Sequence, residues 1–355
     1  MKQQLRQIIA TALQQCYADE QLNSGVMPAE IQLEIPKNPE HGDFATNLAM
    51  TLAKAEGKAP RRIAAALTAV LEQNAWFEKI EIAGPGFINF RLRPDSWHGV
   101  LRQIEQQAEG YGRVAVGRGI KVQVEFVSAN PTGPLHIGHG RGAVVGDALA
   151  AVLQAAGFEV QREYYVNDAG NQIHTLGRSI LLRLRELEGE SIEMPADGYQ
   201  AQYVVELAEK LRAEQGNLSE LSEEQAVAAC SAFGVQAVLQ WIAADLQAFG
   251  IDFDRWYSEQ SLYDRDLVAQ ELAKLAEQGL SYRQDNALWL KTTEFGDDKD
   301  RVLIKSDGSY TYFASDVAYH MEKFERGFDR VIDVWGADHH GYIPRMKAML
   351  AGLGH

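Results

Sequence analysis

The stretch of sequence that decides the fold is Ser128-Ala129-Asn130-Pro131-Thr132-Gly133-Pro134-Leu135-His136-Ile137-Gly138-His139-Gly140-Arg141. In residues 121–127, which precede it, apolar and polar residues alternate, and this period of two predicts a strand. In residues 144–153, which follow it, apolar residues recur at helical spacing, and Gly157 stands where that helix would end. The stretch is therefore predicted to be a strand-to-helix turn.

The composition of this turn suits a ligand that carries phosphate. Pro131 and Pro134 stop any earlier helix and stiffen the chain. The glycines let a ligand approach the backbone, and free N–H groups at a helix N-terminus favour a bound phosphate. His136 and His139 flank the helix start and are able to donate to phosphoryl oxygens. A glycine-rich turn with incidental histidines is the alternative at this point, because such a turn alone is weak evidence.

The length, composition and net charge of the chain limit the classes of protein to which it can belong. The chain has 355 residues, 46% of them apolar, which allows roughly two or three domains with sizeable cores. Cys16 and Cys230 are far apart and form no ligand pair, so we expect no disulfide framework, no metal site and a cytoplasmic location. The net charge of −15 argues against a generic nucleic-acid binder. We expect no membrane association, because no signal-peptide core and no apolar run of membrane-span length is seen.

The whole opening string resembles the HIGH signature of class I aminoacyl-tRNA synthetases. With Ser-x-Asn-Pro-Thr-Gly-Pro ahead of the HIGH-type tetrapeptide, it is similar to the arginyl-tRNA synthetases in particular. Residues 37–47, 84–90 and 167–172 match the same family. The resemblance implies an α/β fold. Its parts are a small α/β N-terminal domain and a class I synthetase Rossmann-like parallel sheet with an inserted α+β segment.

The domain organisation follows from the resemblance and from a glycine-rich link near residues 110–119. We predict an N-terminal domain at 1–110 and an incomplete catalytic domain at 118–355, with the insertion at about 178–305. Residues 44–71 are predicted to be helical with an interruption near Gly57 and Pro60, and a hairpin is predicted around Gly84-Pro85-Gly86. Residues 286–291 and 301–305 are predicted to be a pair of strands. In the family the N-terminal domain contacts the tRNA elbow at the D-loop, and the matching residues here are Phe87 and Asn89. Phe87 as a core residue is the alternative.

The resemblance implies ATP-dependent activation of L-arginine to arginyl-adenylate and its transfer to the 3′ terminal adenosine of tRNA(Arg). The substrates and partners are then arginine, ATP with Mg²⁺, and tRNA(Arg), and we expect a monomer. His136 and His139 take the catalytic positions. Gly336 and Asp338, after a predicted strand at 330–335, match a loop that binds adenosine in class I enzymes. The residues matched to ATP binding are Pro134, His136, Gly138, His139, Gly336 and Asp338.

Selection of arginine requires carboxylates, because a guanidinium is planar, always charged and carries five donors. Glu125 is an acid on an otherwise apolar strand and needs a cationic partner if it is buried. Asp316 is a second candidate, one helical turn after Tyr312. The residues that the resemblance places at the arginine are Glu125, Ser128, Asn130, Tyr312 and Asp316.

The chain departs from the family pattern at one point. The Lys-Met-Ser-Lys-Ser-type loop and the helical anticodon-binding domain are not in this sequence. We therefore expect the chain to be the N-terminal and catalytic part of a longer enzyme. In that form it is expected to bind its substrates and to be largely inactive, since the loop's lysines stabilise the leaving pyrophosphate.

Two other functions stay open from the sequence. Another class I synthetase, such as the cysteinyl relative, would need Cys and His zinc ligands that Cys16 and Cys230 do not supply. A catalytically silent RNA-binding or regulatory paralogue would keep the fold without needing the histidines and carboxylates, all of which are present.

Overall fold

The computed structural model describes residues 1–215 and 218–355 of the chain. The described residues form two compact units, Met1–Gly112 and Arg113–His355. The helices and strands of the first unit are α1 (Lys2–Ala18), β1 (Phe44–Thr46), α2 (Leu48–Glu56), α3 (Pro60–Leu71), β2 (Phe77–Ala83), β3 (Phe87–Leu92) and α4 (Pro94–Gln107).

The first unit is an antiparallel sheet, in the order β1-β3-β2, with helices packed against it. The predicted hairpin is β2 and β3. Its turn needs glycine at Gly86, where φ is +141° and an added Cβ would lie 2.8 Å from the Cβ of Pro60. The helix predicted for 44–71 is wrong at its start, because Phe44–Thr46 forms β1. All three residues of β1 are buried and pair with β3. A strand of three buried residues shows no alternation of apolar and polar residues that would have distinguished it from a helix.

The second unit contains the longer series of elements. They are β4 (Lys121–Glu125), α5 (Ile137–Ala155), β5 (Glu159–Val166), α6 (Asn171–Leu187), α7 (Gln202–Gln215), α8 (Glu223–Ala248), β6 (Arg255–Ser258), α9 (Gln260–Asp264), α10 (Leu267–Glu277), β7 (Ser281–Gln284), β8 (Ala287–Leu290), β9 (Arg301–Ile304), α11 (Tyr312–Glu325), β10 (Arg330–Asp333) and α12 (Ile343–Gly352).

A four-stranded parallel sheet, in the order β10-β4-β5-β6, forms the centre of the second unit. Strand β4 is buried on both faces. On one face Phe126, just beyond the strand, packs against α5 so closely that a Cβ on Gly146 would lie 2.1 Å from its ring. On the other face Gln123 and Glu125 are buried beneath α11. The period of two in β4 therefore separates an apolar face from a buried polar face, and neither faces solvent.

The predicted insertion at 178–305 is not a single insertion. Strand β6 lies within it and pairs with β5 in the parallel sheet. Strands β7, β8 and β9 form a separate antiparallel sheet, as predicted for the pair at 286–291 and 301–305. Short apolar strands carry no mark of which sheet they join, which is why periodicity did not place β6.

Among the described residues, α8 is long and apolar enough to cross a membrane by length and composition alone, with a mean hydropathy of 1.5. Polar residues such as Gln236 and Asp245 interrupt it, so it is not an uninterrupted apolar run. The helix packs along α6 in the core of the unit. The two helices approach closely, since a Cβ on Gly177 of α6 would lie 2.0 Å from Ser231 Oγ of α8. Helix packing accounts for its apolar composition.

Candidate active site

A cavity of about 490 Å³ lies beyond the carboxyl ends of the parallel strands, where ligands bind in open α/β sheets. It is lined by all five residues predicted to bind arginine, Glu125, Ser128, Asn130, Tyr312 and Asp316, and also by Gly336. The structure therefore brings together residues separated by up to about two hundred positions. A larger groove of about 750 Å³ lies in the first unit between α1 and α3 and contains none of the predicted site residues.

The turn after β4 is held in an unusual backbone conformation. Val127 and Ser128 have φ of 67° and 41°, in the left-handed region that a β-branched valine rarely adopts. The Ser128 hydroxyl accepts the Tyr165 N–H at 3.1 Å and donates to Glu125 Oε1 at 2.9 Å. Asn130 donates to Gln172 at 2.7 Å. These contacts fix the polar groups of the turn at the edge of the cavity.

Glu125 has its cationic partner inside the chain. The ammonium of Lys323 on α11 lies 2.6 Å from Glu125 Oε2 and 2.8 Å from Asp333 Oδ1 on β10. Burial alone would lower the pKa of Lys323, but the Asp333 and Glu125 carboxylates raise it above its usual range. The need for a cation that the sequence indicated is therefore met by Lys323, and the substrate is not required to neutralise Glu125.

His320 extends this buried group of charges. Its Nδ1 lies 2.8 Å from the carbonyl oxygen of Asp316, and its Nε2 lies 3.0 Å from Asp333 Oδ2. Burial alone would raise the pKa of Asp333, but Lys323 and His320 hold it well below its usual range. Asp316, His320 and Lys323 are spaced by four and three residues, so α11 presents all three on one face.

Two other carboxylates in the cavity have no such partner. Glu259, only 4% exposed, follows β6, and burial together with the nearby charge of Asp316 raises its pKa to about 7. Burial likewise raises the pKa of Asp316, whose carboxylate accepts the hydroxyl of Tyr342. Within the described residues, no lysine, arginine or histidine forms an ion pair with either carboxylate. The arrangement leaves two acids at the cavity that a bound cation would favour in their ionised form.

The two histidines of the HIGH-type string have defined hydrogen-bonding roles. His136 is the N-cap of α5, and its Nδ1 accepts the Gly138 N–H at 3.1 Å. His139 Nδ1 accepts the His136 N–H at 3.2 Å, and the two rings stack with centroids 3.9 Å apart. Because both Nδ1 atoms are acceptors, each neutral ring carries its proton on Nε2. Burial, with a smaller contribution from His136, lowers the pKa of His139.

This geometry corrects one expectation about the helix start. The N–H groups of His136 and Gly138 are not free for a phosphate, because the imidazoles accept them. The Nε2–H groups of the two histidines are donors that these contacts leave unused. The histidines line a smaller cleft of about 240 Å³ with Phe249, and not the 490 Å³ cavity, so the predicted ATP residues are divided between two depressions.

The remaining predicted residues are placed as follows. Pro134 is exposed in the turn, and Gly336 follows β10 and lines the main cavity. The side chain of Asp338 lies outside the described part of the chain. In the first unit Phe87 is half-buried on β3 and Asn89, on the same face, is 8% exposed.

Within residues 1–215 and 218–355, no group of three His, Cys, Asp or Glu residues is placed to hold a metal ion.

Two protein families match the chain over almost its whole length. The family described as "Arginyl tRNA synthetase N terminal domain" matches residues 3–92, and "tRNA synthetases class I (R), catalytic domain" matches residues 101–354. The chain belongs to the arginyl-tRNA synthetase family. The family and the α/β class predicted from the HIGH-type string are both confirmed.

Individual proteins of the arginyl-tRNA synthetase family are similar in sequence to almost the whole chain. The chain is 62% identical over 355 residues to an arginine–tRNA ligase of Syntrophotalea carbinolica, covering 99% of this chain and 64% of that protein. It is 54% identical to one of Geobacter sp. strain M21, covering 100% of this chain and 64% of that protein. The chain thus spans about two thirds of the length of the curated relatives it matches, slightly less in these two cases.

Solved structures of the arginyl-tRNA synthetase family share the fold. A Campylobacter jejuni protein classed in this family superposes with a TM-score of 0.68 at 41% identity, covering 72% of this chain and 56% of that chain. The Thermus thermophilus arginyl-tRNA synthetase gives a TM-score of 0.56 at 25% identity, covering 90% and 53% respectively.

The structure adds three cavity residues that the sequence did not single out, Glu259, His320 and Tyr342. Glu259 is one of the two unpaired acids, and His320 and Tyr342 both contact the other, Asp316. Glu259 directly follows β6, at the carboxyl end of the parallel sheet, where ligand sites form. Because residues 255–258 were predicted to lie within the insertion, this acid was not considered.

Proposed function

We propose that this chain carries the arginine-activating site of an arginine–tRNA ligase. The reaction first joins the carboxylate of L-arginine to the α-phosphate of ATP and releases pyrophosphate. It then passes the arginyl group of the adenylate to the 3′ terminal adenosine of tRNA(Arg) and releases AMP. Membership of the arginyl-tRNA synthetase family supports this proposal.

The observation that carries the proposal is the pair of unpaired acids, Glu259 and Asp316, in one cavity. A substrate guanidinium supplies the missing positive charge and offers donors to both carboxylates. Tyr312 is mostly exposed at the rim and forms a wall for the aliphatic part of the substrate. Asn130 and Ser128, at the end of β4, are then placed for the α-amino and carboxylate end.

ATP is assigned to the histidines and to the loop after β10. The Nε2–H groups of His136 and His139 donate to phosphate oxygens, stabilising the charge that develops there. Backbone at Gly336 approaches the adenine, and Asp338 is proposed to bind the ribose. Pro134 and Gly138 are also assigned to ATP. Pro134 lies in the turn just before the helix start, and Gly138, which has no side chain, leaves room there for the phosphates. Mg²⁺ would be held by the phosphates of ATP and would supply positive charge there.

The first unit is proposed to contact the tRNA elbow through β3. Phe87 is partly exposed and is available to stack on an unpaired base. Asn89 is largely covered by its neighbouring strands, so a role in reading a base edge depends on its small exposed fraction. Replacing Phe87 with alanine is expected to weaken tRNA(Arg) binding and to leave arginine binding unchanged.

Calorimetric titration of this chain with arginine, lysine and citrulline tests the proposed amino acid. Arginine should bind, and citrulline should bind more weakly by roughly 10⁴, because it leaves the buried carboxylates unpaired. Glu259→Gln and Asp316→Asn should each abolish detectable binding. Glu277→Gln, which alters an exposed carboxylate on α10, is the matched control and should bind normally. Equal binding of arginine and citrulline contradicts the proposal, and tRNA binding without arginine or ATP binding favours a silent RNA-binding paralogue.

A further inference from the structure

Tyr342 connects the two halves of the cavity. It is the last residue of a short 3₁₀ helix, Ala337–Tyr342, which follows Gly336 and leads into α12. Its hydroxyl donates to Asp316 Oδ2 on α11. Gly336 and Asp316 both line the cavity, on the proposed nucleotide side and arginine side respectively. One side chain therefore links the loop after β10 to an acid at the proposed arginine position.

The Tyr342 ring is held on several sides. Trp335 meets it edge to face with centroids 5.8 Å apart, and Phe313 does so at 6.4 Å. The guanidinium of Arg345 lies 4.5 Å from the ring centroid. Burial first, and then the nearby Asp316 carboxylate, raise the pKa of Tyr342 well above its usual range, so the hydroxyl stays a donor. The ring is therefore fixed and presents one hydrogen bond in a defined direction.

We propose that Tyr342 is a positioning residue that orients the Asp316 carboxylate for the guanidinium and couples arginine binding to ATP binding. The inference rests on the proposed function. With Oδ2 held by the tyrosine, Oδ1 is left for the substrate, so Asp316 presents one oxygen in a fixed direction. A nucleotide that contacts the loop after Gly336 contacts the segment that carries Tyr342, and the hydrogen bond from Tyr342 transmits that contact to Asp316.

The coupling has a definite thermodynamic form. If ATP increases the affinity for arginine by some factor, arginine must increase the affinity for ATP by the same factor. A hydrogen bond to a charged group contributes about 1.5–3 kcal/mol, which corresponds to roughly a tenfold or greater change in affinity. Loss of the Tyr342 hydroxyl should therefore weaken arginine binding roughly tenfold and remove most of the dependence of one ligand on the other.

The test compares Tyr342→Phe with the wild type by calorimetry. Arginine is titrated with and without the non-hydrolysable analogue AMP-PNP and Mg²⁺, and the analogue is titrated with and without arginine. Tyr282→Phe is the matched control, because Tyr282 donates a hydrogen bond of the same kind to Asp300 at 3.0 Å in the antiparallel sheet. Urea unfolding of both variants checks that each is folded.

The expected result is that the analogue tightens arginine binding in the wild type and in Tyr282→Phe. In Tyr342→Phe, arginine binds roughly tenfold more weakly and the two ligands bind independently within a factor of about two. Wild-type affinity and coupling in Tyr342→Phe overturn the inference, as does a wild type that binds both ligands independently. A wild type that binds neither ligand overturns the proposed function itself, which separates the two failures.

Discussion

Lys323 and Glu125, 198 positions apart in the sequence, form an ion pair of 2.6 Å beneath the floor of the cavity. The lysine side chain is fully buried, and its ammonium also lies 2.8 Å from Asp333 and 4.3 Å from the Tyr319 ring centroid. It thereby connects α11 to β4 and β10, the strands that end at the cavity. Lys323 supplies a cation to Glu125 and Asp333, whereas Glu259 and Asp316 have no such partner among the described residues.

Replacing Lys323 with methionine should destabilise the second unit strongly. The change leaves Glu125 and Asp333 buried without a cation, and breaking a buried pair in this way costs about 3–5 kcal/mol. Urea unfolding measures the loss. Lys210→Met is the control, because the ion pair of Lys210 with Glu214 is exposed on both sides, at 39% and 54%, and its loss should cost no more than about 1 kcal/mol. Equal losses in the two variants would show that the burial of Lys323 is not what matters.

Arginine binding should strengthen as the pH rises through neutrality. Glu259 must be ionised to pair with a guanidinium, and its raised pKa of about 7 means that it is largely protonated at pH 6 and largely ionised at pH 8. The ionised fraction then changes roughly tenfold, and the dissociation constant for arginine should fall by roughly the same factor. Binding at pH 6 should also release a proton, because the guanidinium favours the ionised acid.

Calorimetric titrations of arginine at pH 6, in buffers of different ionisation enthalpy, measure the number of protons released on binding. Glu277→Gln should keep the full pH dependence, since that carboxylate is exposed on α10 and remote from the unpaired acids in sequence. A dissociation constant for arginine that is the same at pH 6 and pH 8 would contradict the role assigned to Glu259.

The opening string, the strand before it and the helix after it could be predicted from the sequence because each is a local pattern. The five residues predicted to bind arginine line one cavity, and that the cavity takes arginine stays a prediction. The partner of Glu125 could not be predicted, since it comes from a helix whose face toward the sheet only the fold defines. Glu259 was missed for a related reason. A four-residue strand such as β6 has the same composition in an insertion as in a central sheet, and its assignment decided whether the acid after it was considered.

Replacing Gly146 with alanine should disturb the helix that carries the histidines. A Cβ there would lie 2.1 Å from the Phe126 ring, so α5 or the ring must shift, at a cost of about 1–3 kcal/mol. The shift moves the N-terminus of α5, and ATP-analogue binding should weaken with the loss of stability. Gly99→Ala on α4 is the control, because nothing lies within 4 Å of its added Cβ. That variant should gain about 0.5–1 kcal/mol from helix propensity. Wild-type stability in Gly146→Ala would show that the contact relaxes without cost.

Replacing His136 with asparagine and with alanine should separate its two proposed roles, which are capping α5 and donating to a phosphate. The Nδ1 atom caps α5 by accepting the Gly138 N–H, whereas Nε2–H faces outward and is assigned to phosphate. Asparagine places an acceptor near the Nδ1 position and nothing at Nε2, so His136→Asn should retain the cap and weaken ATP-analogue binding. His136→Ala loses both, and its unfolding free energy should fall by about 0.5–2 kcal/mol as well. Urea unfolding and calorimetric titration of the analogue measure the two effects, with His98→Asn on α4 as an exposed control. If His136→Asn binds the analogue as the wild type does, Nε2 has no role at the phosphate and the histidine serves α5 alone.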